Sequence, residues 1–364
     1  MALIRKARET MTAKQRVRRA LQFERTDRVP IAYQCNPGIH ARLCAALGAR
    51  DDEALNRALG VDYRPVYAPY AGKPLFGPIE GRVVDPLEGY VMRVVEHETG
   101  SYCDYCDFPL LAADDETIAR FPVPDPDDFD YSGIPDYARR FAEYGLHVGN
   151  PGVGCVINCV GMLMGMEEAL VRLYGEDEAV CKLVQRRTDS QLGILDRTLS
   201  AANGQVDFLW LGEDLGTQDR PMISADMYRA VIQPIHQQFI DLADSYHIPV
   251  MIHTCGSSSW VYEDFIAMGV RAVDTLQPEA ADMSPAYLVK RFGGRLAFQG
   301  CISTAGAVAV GTPADVVREV RETLSVMMPT QGYFFAPTHQ LQDNTPTENA
   351  IAMYQAAHDY GVYC

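Results

Sequence analysis

Pro249-Val250-Met251-Ile252-His253-Thr254-Cys255-Gly256 is a short apolar run that ends abruptly in polar and sulfur-bearing residues. An amphipathic stretch, Val261–Met268, follows it, and the same pairing then recurs along the chain. Ala272–Leu276 precedes Pro285–Phe292, Leu296–Gly300 precedes Pro313–Met327, and Tyr333–Pro337 precedes Glu348–Tyr360. Upstream, Phe208–Gly212 precedes Ala225–Tyr246, and His147–Val153 precedes helical stretches near Met166–Leu173 and Asp177–Ala201. Short strands alternating with helices are parallel βα units. Six such units, with a short strand at Ile31–Tyr33 and one further early strand, approach the eight of a closed barrel. The pattern predicts an α/β protein, a (β/α)8 TIM barrel filling residues 1–364 as a single domain. An open doubly wound sheet is the rival, but no Gly-x-Gly-x-x-Gly turn follows the first strand.

Outside the repeats, residues 1–27 read as an N-terminal helical extension, with a helix over Thr12–Gln22. Residues 71–135 read as an irregular insertion on the surface, mixing β-like runs such as Tyr90–Val95 with the acidic, Pro-rich stretch Pro122–Pro135. The uncharged run Val148–Met166 reads as a buried strand and a glycine-rich loop, too broken by Gly and Pro to span a membrane. Thr345-Pro346-Thr347-Glu348 has the form of a capping box, and Thr312-Pro313 and Ser224 mark two further helix starts.

With 32 basic and 48 acidic residues the net charge is −16. Such a surface repels phosphate backbones and anionic lipid, so neither nucleic acid nor membrane is an expected partner. Ten cysteines behind a charged, helical N-terminus without an apolar signal segment read as reduced, cytoplasmic thiols.

Barrel chemistry sits where strands run into loops. Glu213-Asp214 follows one strand, His253-Thr254-Cys255 the next, Gln277 the third, Cys301 the fourth, and Thr338-His339-Gln340 the last. His253 and Cys255 share one face of their strand because the side-chain period is two. With Cys301 they make an imidazole and two thiolates, a set suited to Zn2+ with one position left open, as in catalytic sites. The alternative is that both cysteines are small core residues and His253 closes a strand. Glu213-Asp214 could supply a fourth metal ligand in the resting state or a general acid, the alternative being a loop cap or salt bridge, and His339 is a candidate acid or base or substrate hydrogen-bonder, or else a histidine that supports its neighbours. Tyr33, Asn36, Trp210, Gln277 and Gln340 are candidate substrate contacts, and the aromatics Tyr67 and Tyr70 with Met162 and Met164 would suit a flat ligand, although such residues are more often core. Cys103-Asp104-Tyr105-Cys106 lacks the second pair a zinc ribbon needs, and Cys155 and Cys159 read as packing residues.

Met11-Thr12-Ala13-Lys14-Gln15-Arg16-Val17, Asp27-Arg28-Val29-Pro30, Glu213-Asp214-Leu215-Gly216-Thr217-Gln218, His253-Thr254-Cys255-Gly256, Leu276-Gln277-Pro278 and Ala336-Pro337-Thr338-His339 together resemble the uroporphyrinogen decarboxylase superfamily. The resemblance implies a TIM barrel and one of two chemistries. Decarboxylases of this kind use no metal and clamp carboxylates with cations near the first strand. Here Ile31 to Pro37 carries no arginine, the next being Arg42. The other branch is similar in its His-x-Cys…Cys set, which implies a zinc methyltransferase acting on the cobalt of a corrinoid (cobalamin). None of the eight histidines has Asp two residues before it, so the corrinoid is expected on a separate, transiently bound protein. The expected activity is O-demethylation of a methoxylated, aromatic compound. Methylation of a thiol by methylcobalamin, metal-free porphyrinogen decarboxylation and a non-catalytic metal-binding barrel are the alternatives. The oligomeric state is left open.

Overall fold

A computed structural model describes residues 3–363. Ten strands are present among them: β1 Tyr63–Pro65, β2 Val83–Val84, β3 Val91–His97, β4 Gly100–Tyr105, β5 Gly145–Gly149, β6 Phe208–Gly212, β7 Val250–His253, β8 Ala272–Leu276, β9 Ala297–Ile302 and β10 Tyr333–Pro337. Seven form one parallel sheet in the order β1-β5-β6-β7-β8-β9-β10. The segment around Ile31 occupies the eighth position. It makes a parallel bridge to Phe335, and the Ile31 carbonyl accepts from Asp62 N–H at 2.9 Å, just before β1. The expected barrel is therefore present, with its first strand reduced to a bridge. Pro30 explains the reduction, since it has no N–H to extend a ladder.

Alternation along the strands sorts the side chains. Tyr63, Phe208, Trp210, Met251, Ala272, Ala297, Phe334 and Ala336 pack together inside the barrel, and the helix Ala13–Leu21 adds Val17, Ala20 and Leu21 to them. The neighbouring residues Leu209, Leu211, Val250, Ile252 and Val273 join the larger core that includes the surrounding helices. Buried ion pairs fix the N-terminal helix: Arg16 reaches Asp27 and Asp62, and Arg28 reaches Asp62 and Glu9.

Three expectations fail locally. Val148–Met166 contains a helix, Ile157–Met164, where a loop was expected. Its start has no local cap; instead Glu213 accepts from the N–H groups of Val156 (2.7 Å) and Ile157 (3.2 Å), a contact distant in sequence. The expected capping box at Thr345 is not formed, because the helix Thr347–Tyr360 has Pro346 as its N-cap with no side-chain bond. That turn is held by Arg42, which donates to the carbonyls of Asp343 and Thr345. Residues 71–135 are also more ordered than expected. They contain the antiparallel sheet β2-β3-β4, whose β3–β4 turn at Gly100 lies against Asp343 with no room for a side chain. Thr312 and Ser224 do cap their helices.

Candidate functional site

Parallel register brings the strand ends together. Gly212 stands beside His253 and His253 beside Asp274. The ladder continues one step further, with Glu213 N–H donating to the His253 carbonyl at 2.9 Å. This places Asp214 next to the His253-x-Cys255 turn. Gly256 has a φ of +69°, so the chain doubles back directly after Cys255 against the carbonyls of Gly216 and Thr217.

Donor atoms of Asp214, His253 and Cys255 all lie within 4.8 Å of one another. His253 Nε2 is 3.4 Å from Cys255 Sγ and 3.8 Å from Asp214 Oδ1. Ligands at 2.0–2.3 Å around a tetrahedral zinc stand roughly 3.3–3.8 Å apart, so the spacing and the N, S, O donor set both fit that ion. Cys301, the other expected ligand, is buried at the end of β9 with φ +67° and lies outside this group.

The far side of His253 is fully engaged. Its Nδ1 is 2.9 Å from Asp274 Oδ2 and 2.7 Å from Thr275 Oγ1. A register shift between Val273 and Leu276, with φ +64° at Thr275, brings both adjacent residues to the same ring. Asp274 accepts in turn from Gln299 Nε2 (2.8 Å), whose Oε1 accepts from Tyr63 O–H (2.9 Å). A proton held on Nδ1 leaves the Nε2 lone pair for a metal. Burial opposes a charged imidazole, but the bond to Asp274 and its charge outweigh it, so His253 lies above its ordinary pKa. Asp214 is likewise penalised by burial, yet His253 and hydrogen bonds from Cys255 and Asn158 hold it below the usual carboxylate range.

Asp214, Glu213, His253, His339 and Gln340 line a cavity of about 850 Å3. His339 is exposed there, its ring centroid 5.5 Å from that of His253; burial first, then His253, lowers its pKa. Tyr67 and Met162 also line the cavity. Glu213 is 1% exposed, and burial pushes its pKa up to about 8 even though two backbone N–H groups favour the charged form. Glu213→Ala is expected to orphan those groups and cost about 1–3 kcal/mol in chemical denaturation, while Glu213→Gln keeps an acceptor and loses less.

The remaining expected contacts lie elsewhere. Trp210 is inside the barrel, packed on Tyr63 and His147. Tyr33 O–H is bonded within a cluster with His40 and Cys35. Asn36 precedes the helix Pro37–Leu47 and donates to Gln342, and Gln277 donates to Gln218. Tyr70 O–H is turned to the Lys73 carbonyl, and Met164 is core. Asp274, Gln299 and Arg187 are functional candidates that the strand-end search passes over. A polar residue in the middle of a five- or six-residue buried strand is the signal for the first two.

The family profile described as "Uroporphyrinogen decarboxylase (URO-D)" matches residues 152–360. A protein named uroporphyrinogen decarboxylase from Sodalis glossinidius is 26% identical over 189 residues, 51% of this chain and 50% of that one. One of the same name from Alkalilimnicola ehrlichii is 25% identical over 268 residues, 69% and 68% of the two chains. The match thus spans about half the length of the first relative. Among solved structures, a methyltransferase from Methanosarcina mazei is 16% identical with a TM-score of 0.64, covering 96% of this chain and 99% of its own. That likeness is one of fold.

Proposed function

The chain belongs to the uroporphyrinogen decarboxylase family, and within it we propose that it is a zinc-dependent methyltransferase working between a small methoxylated, aromatic compound and the cobalt of a corrinoid carried by a separate protein. The observation that carries this reading is the donor group of Asp214, His253 and Cys255, of which Asp214 and His253 line an open cavity. Decarboxylation of a polycarboxylate is less well supported. The cavity wall contains one guanidinium, Arg187, against the carboxylates of Asp85, Glu88 and Asp214, with no lysine, and Glu213 is held largely neutral. Such a lining repels a substrate with many negative charges.

His253 Nε2 and Cys255 Sγ are the ligands we assign to zinc, with Cys301 as the third. Asp214 would complete the shell of a bound ion, and its position is the one an ether oxygen could share. Bound there, zinc supplies Lewis acidity that makes the ether oxygen a better leaving group. The chain's own part is orientation and proton supply. Asp274 and Thr275 keep the proton of His253 on Nδ1. Asn158 steadies Asp214 through Oδ2 at 2.7 Å. His339, exposed in the cavity, is placed to pass a proton to the leaving oxygen. Glu213, with its oxygens committed to the helix at Ile157, acts by holding the wall that carries Cys155 and Asn158. His339→Gln is therefore expected to change the pH–rate profile, and Glu213→Gln to leave its shape alone.

The test has two parts. Wild type purified with zinc is expected to hold one equivalent, and Cys301→Ser markedly less. Full retention in Cys301→Ser would make Asp214 the third ligand in its place. Methoxylated arenes incubated with reduced corrinoid are then expected to yield methylcobalt, seen in the visible spectrum. Metal-free protein that decarboxylates a porphyrinogen, or zinc protein inert towards every methyl donor and thiol, would overturn the proposal.

A further inference from the structure

One polar line runs through the barrel interior and joins side chains from β1, β9, β8 and β7. Tyr63 O–H donates to Gln299 Oε1 at 2.9 Å, Gln299 Nε2 donates to Asp274 Oδ1 at 2.8 Å, and Asp274 Oδ2 stands 2.9 Å from His253 Nδ1. β7, β8 and β9 are neighbours in the sheet, whereas β10 and the Ile31 segment separate β9 from β1. Tyr63 therefore reaches the line across the interior. Strand parity makes room for it: Ala272 and Ala297, two residues before Asp274 and Gln299, belong to the interior cluster that holds the Tyr63 ring. Asp274 and Gln299 are both buried. A barrel interior is normally filled by branched apolar side chains, and a buried amide or carboxylate there costs free energy unless its polar atoms are matched.

The direction of the line follows from its chemistry. A carboxylate only accepts, so Asp274 takes the amide N–H of Gln299, and the amide oxygen is left for the phenol. Burial, followed by the Asp274 charge, pushes Tyr63 well above its ordinary pKa, so the phenol stays a donor. The two carboxylate oxygens of Asp274 are thus committed on opposite sides, and turning its side chain would break both bonds. His253 would then be left with Thr275 Oγ1, 2.7 Å from the same Nδ1. A hydroxyl donates as readily as it accepts, so Thr275 alone does not keep the imidazole proton on Nδ1.

We propose that Gln299 and Tyr63 are positioning residues of the metal centre: they pin Asp274, so that His253 keeps its proton on Nδ1 and presents Nε2 to zinc. This rests on the zinc reading above and extends the centre across the barrel. Neither residue lines the cavity. Both act through Asp274.

Competition for zinc against a coloured chelator, on variants shown to be folded by circular dichroism, tests the line without corrinoid or substrate. Gln299→Leu is expected to weaken zinc binding about tenfold, and Tyr63→Phe, which keeps the ring, about threefold, at or below the range for direct partners of a ligating histidine. A purely structural role would lower the unfolding midpoint and leave zinc affinity alone. The decisive comparison is in Asp274→Asn, where the same two substitutions are expected to change zinc affinity by less than about twofold, because the carboxylate they act through is gone. Unchanged affinity in either folded variant, or losses in Asp274→Asn equal to those in wild type, would overturn the proposal. Should Gln299→Leu fail to fold, Tyr63→Phe carries the same comparison. The two readings fail separately. Coupled losses of zinc in a protein that makes no methylcobalt keep the positioning line and remove the reaction. Methylcobalt formed by a zinc protein whose affinity ignores both substitutions does the reverse, and a wild type that binds no zinc overturns both.

Discussion

His253→Ala is expected to leave the purified protein without zinc and to slow methyl transfer by about three orders of magnitude. The size follows from the several kcal/mol that a Lewis acid gives a developing oxyanion, at about 1.4 kcal/mol for each tenfold in rate. His253 supplies the Nε2 around which Cys255 and Asp214 gather, so its loss removes the nitrogen donor from the proposed set and leaves the ion's shell open. Asp274→Asn is the informative partner. It keeps all donor atoms but weakens control of the imidazole proton, and outer partners of this kind are worth about 10–100-fold in metal affinity. Metal content by elemental analysis and competition against a coloured chelator measure both effects. Stoichiometric zinc and undiminished turnover in His253→Ala would remove the site.

Asp62→Ala is expected to be the most destabilising single change on the opposite side of the barrel, at about 3–5 kcal/mol. The Asp62 carboxylate, 1% exposed, accepts from Arg16 Nη1 at 2.5 Å, Arg28 Nη1 at 2.6 Å and Ile31 N–H at 2.7 Å. Its removal takes the buried shared partner from both arginines, leaving Arg16 to Asp27 and Arg28 to the less buried Glu9, and loosens the backbone at the eighth strand position. That is a large fraction of the 5–15 kcal/mol typical of a whole domain. Denaturant titration measures it, and a loss under about 1 kcal/mol would show that water reaches the two arginines. The same cluster predicts acid sensitivity. Burial works against the Asp27 charge, but Arg16 and the N–H groups of Thr10 and Met11 more than compensate, so its folded pKa is depressed. A depressed carboxylate contributes stability that is complete above its unfolded value, about 3.9, and is lost as pH falls further. Stability at pH 3 is expected to lie below that at pH 6, by less in Asp27→Asn than in wild type.

The barrel was legible because its later strands are mainly apolar and its helices amphipathic. β6, β8 and β10 begin and end where the hydrophobic runs do. Illegible features were those decided by partners far along the chain. The helix Ile157–Met164 begins without a cap of its own because Glu213 reaches it from β6. Trp210 looked like a rim aromatic, but one residue of strand parity turns it into the barrel interior. Most of the candidate donor group was legible: His253 and Cys255 follow from a period of two, and Asp214, a strand-end carboxylate expected as a further ligand, is brought to them by the neighbouring strand's register, whereas Cys301 lies outside the group. The opening motif, Arg16 with Asp27-Arg28, proves to be architectural, holding the underside of the barrel together.

Ile31 bridges Phe335, Val29 N–H bonds the Gly361 carbonyl, and Tyr363 N–H bonds the Asp27 carbonyl. During synthesis, then, the two halves of the seam leave the ribosome some three hundred residues apart. Until the later half emerges, the Ile31 segment and β9 are bare edges of an open sheet, the kind of surface on which nascent chains stick to one another. Yield in a cell should therefore respond more strongly to chaperone supply and translation speed than the stability of the finished molecule would imply.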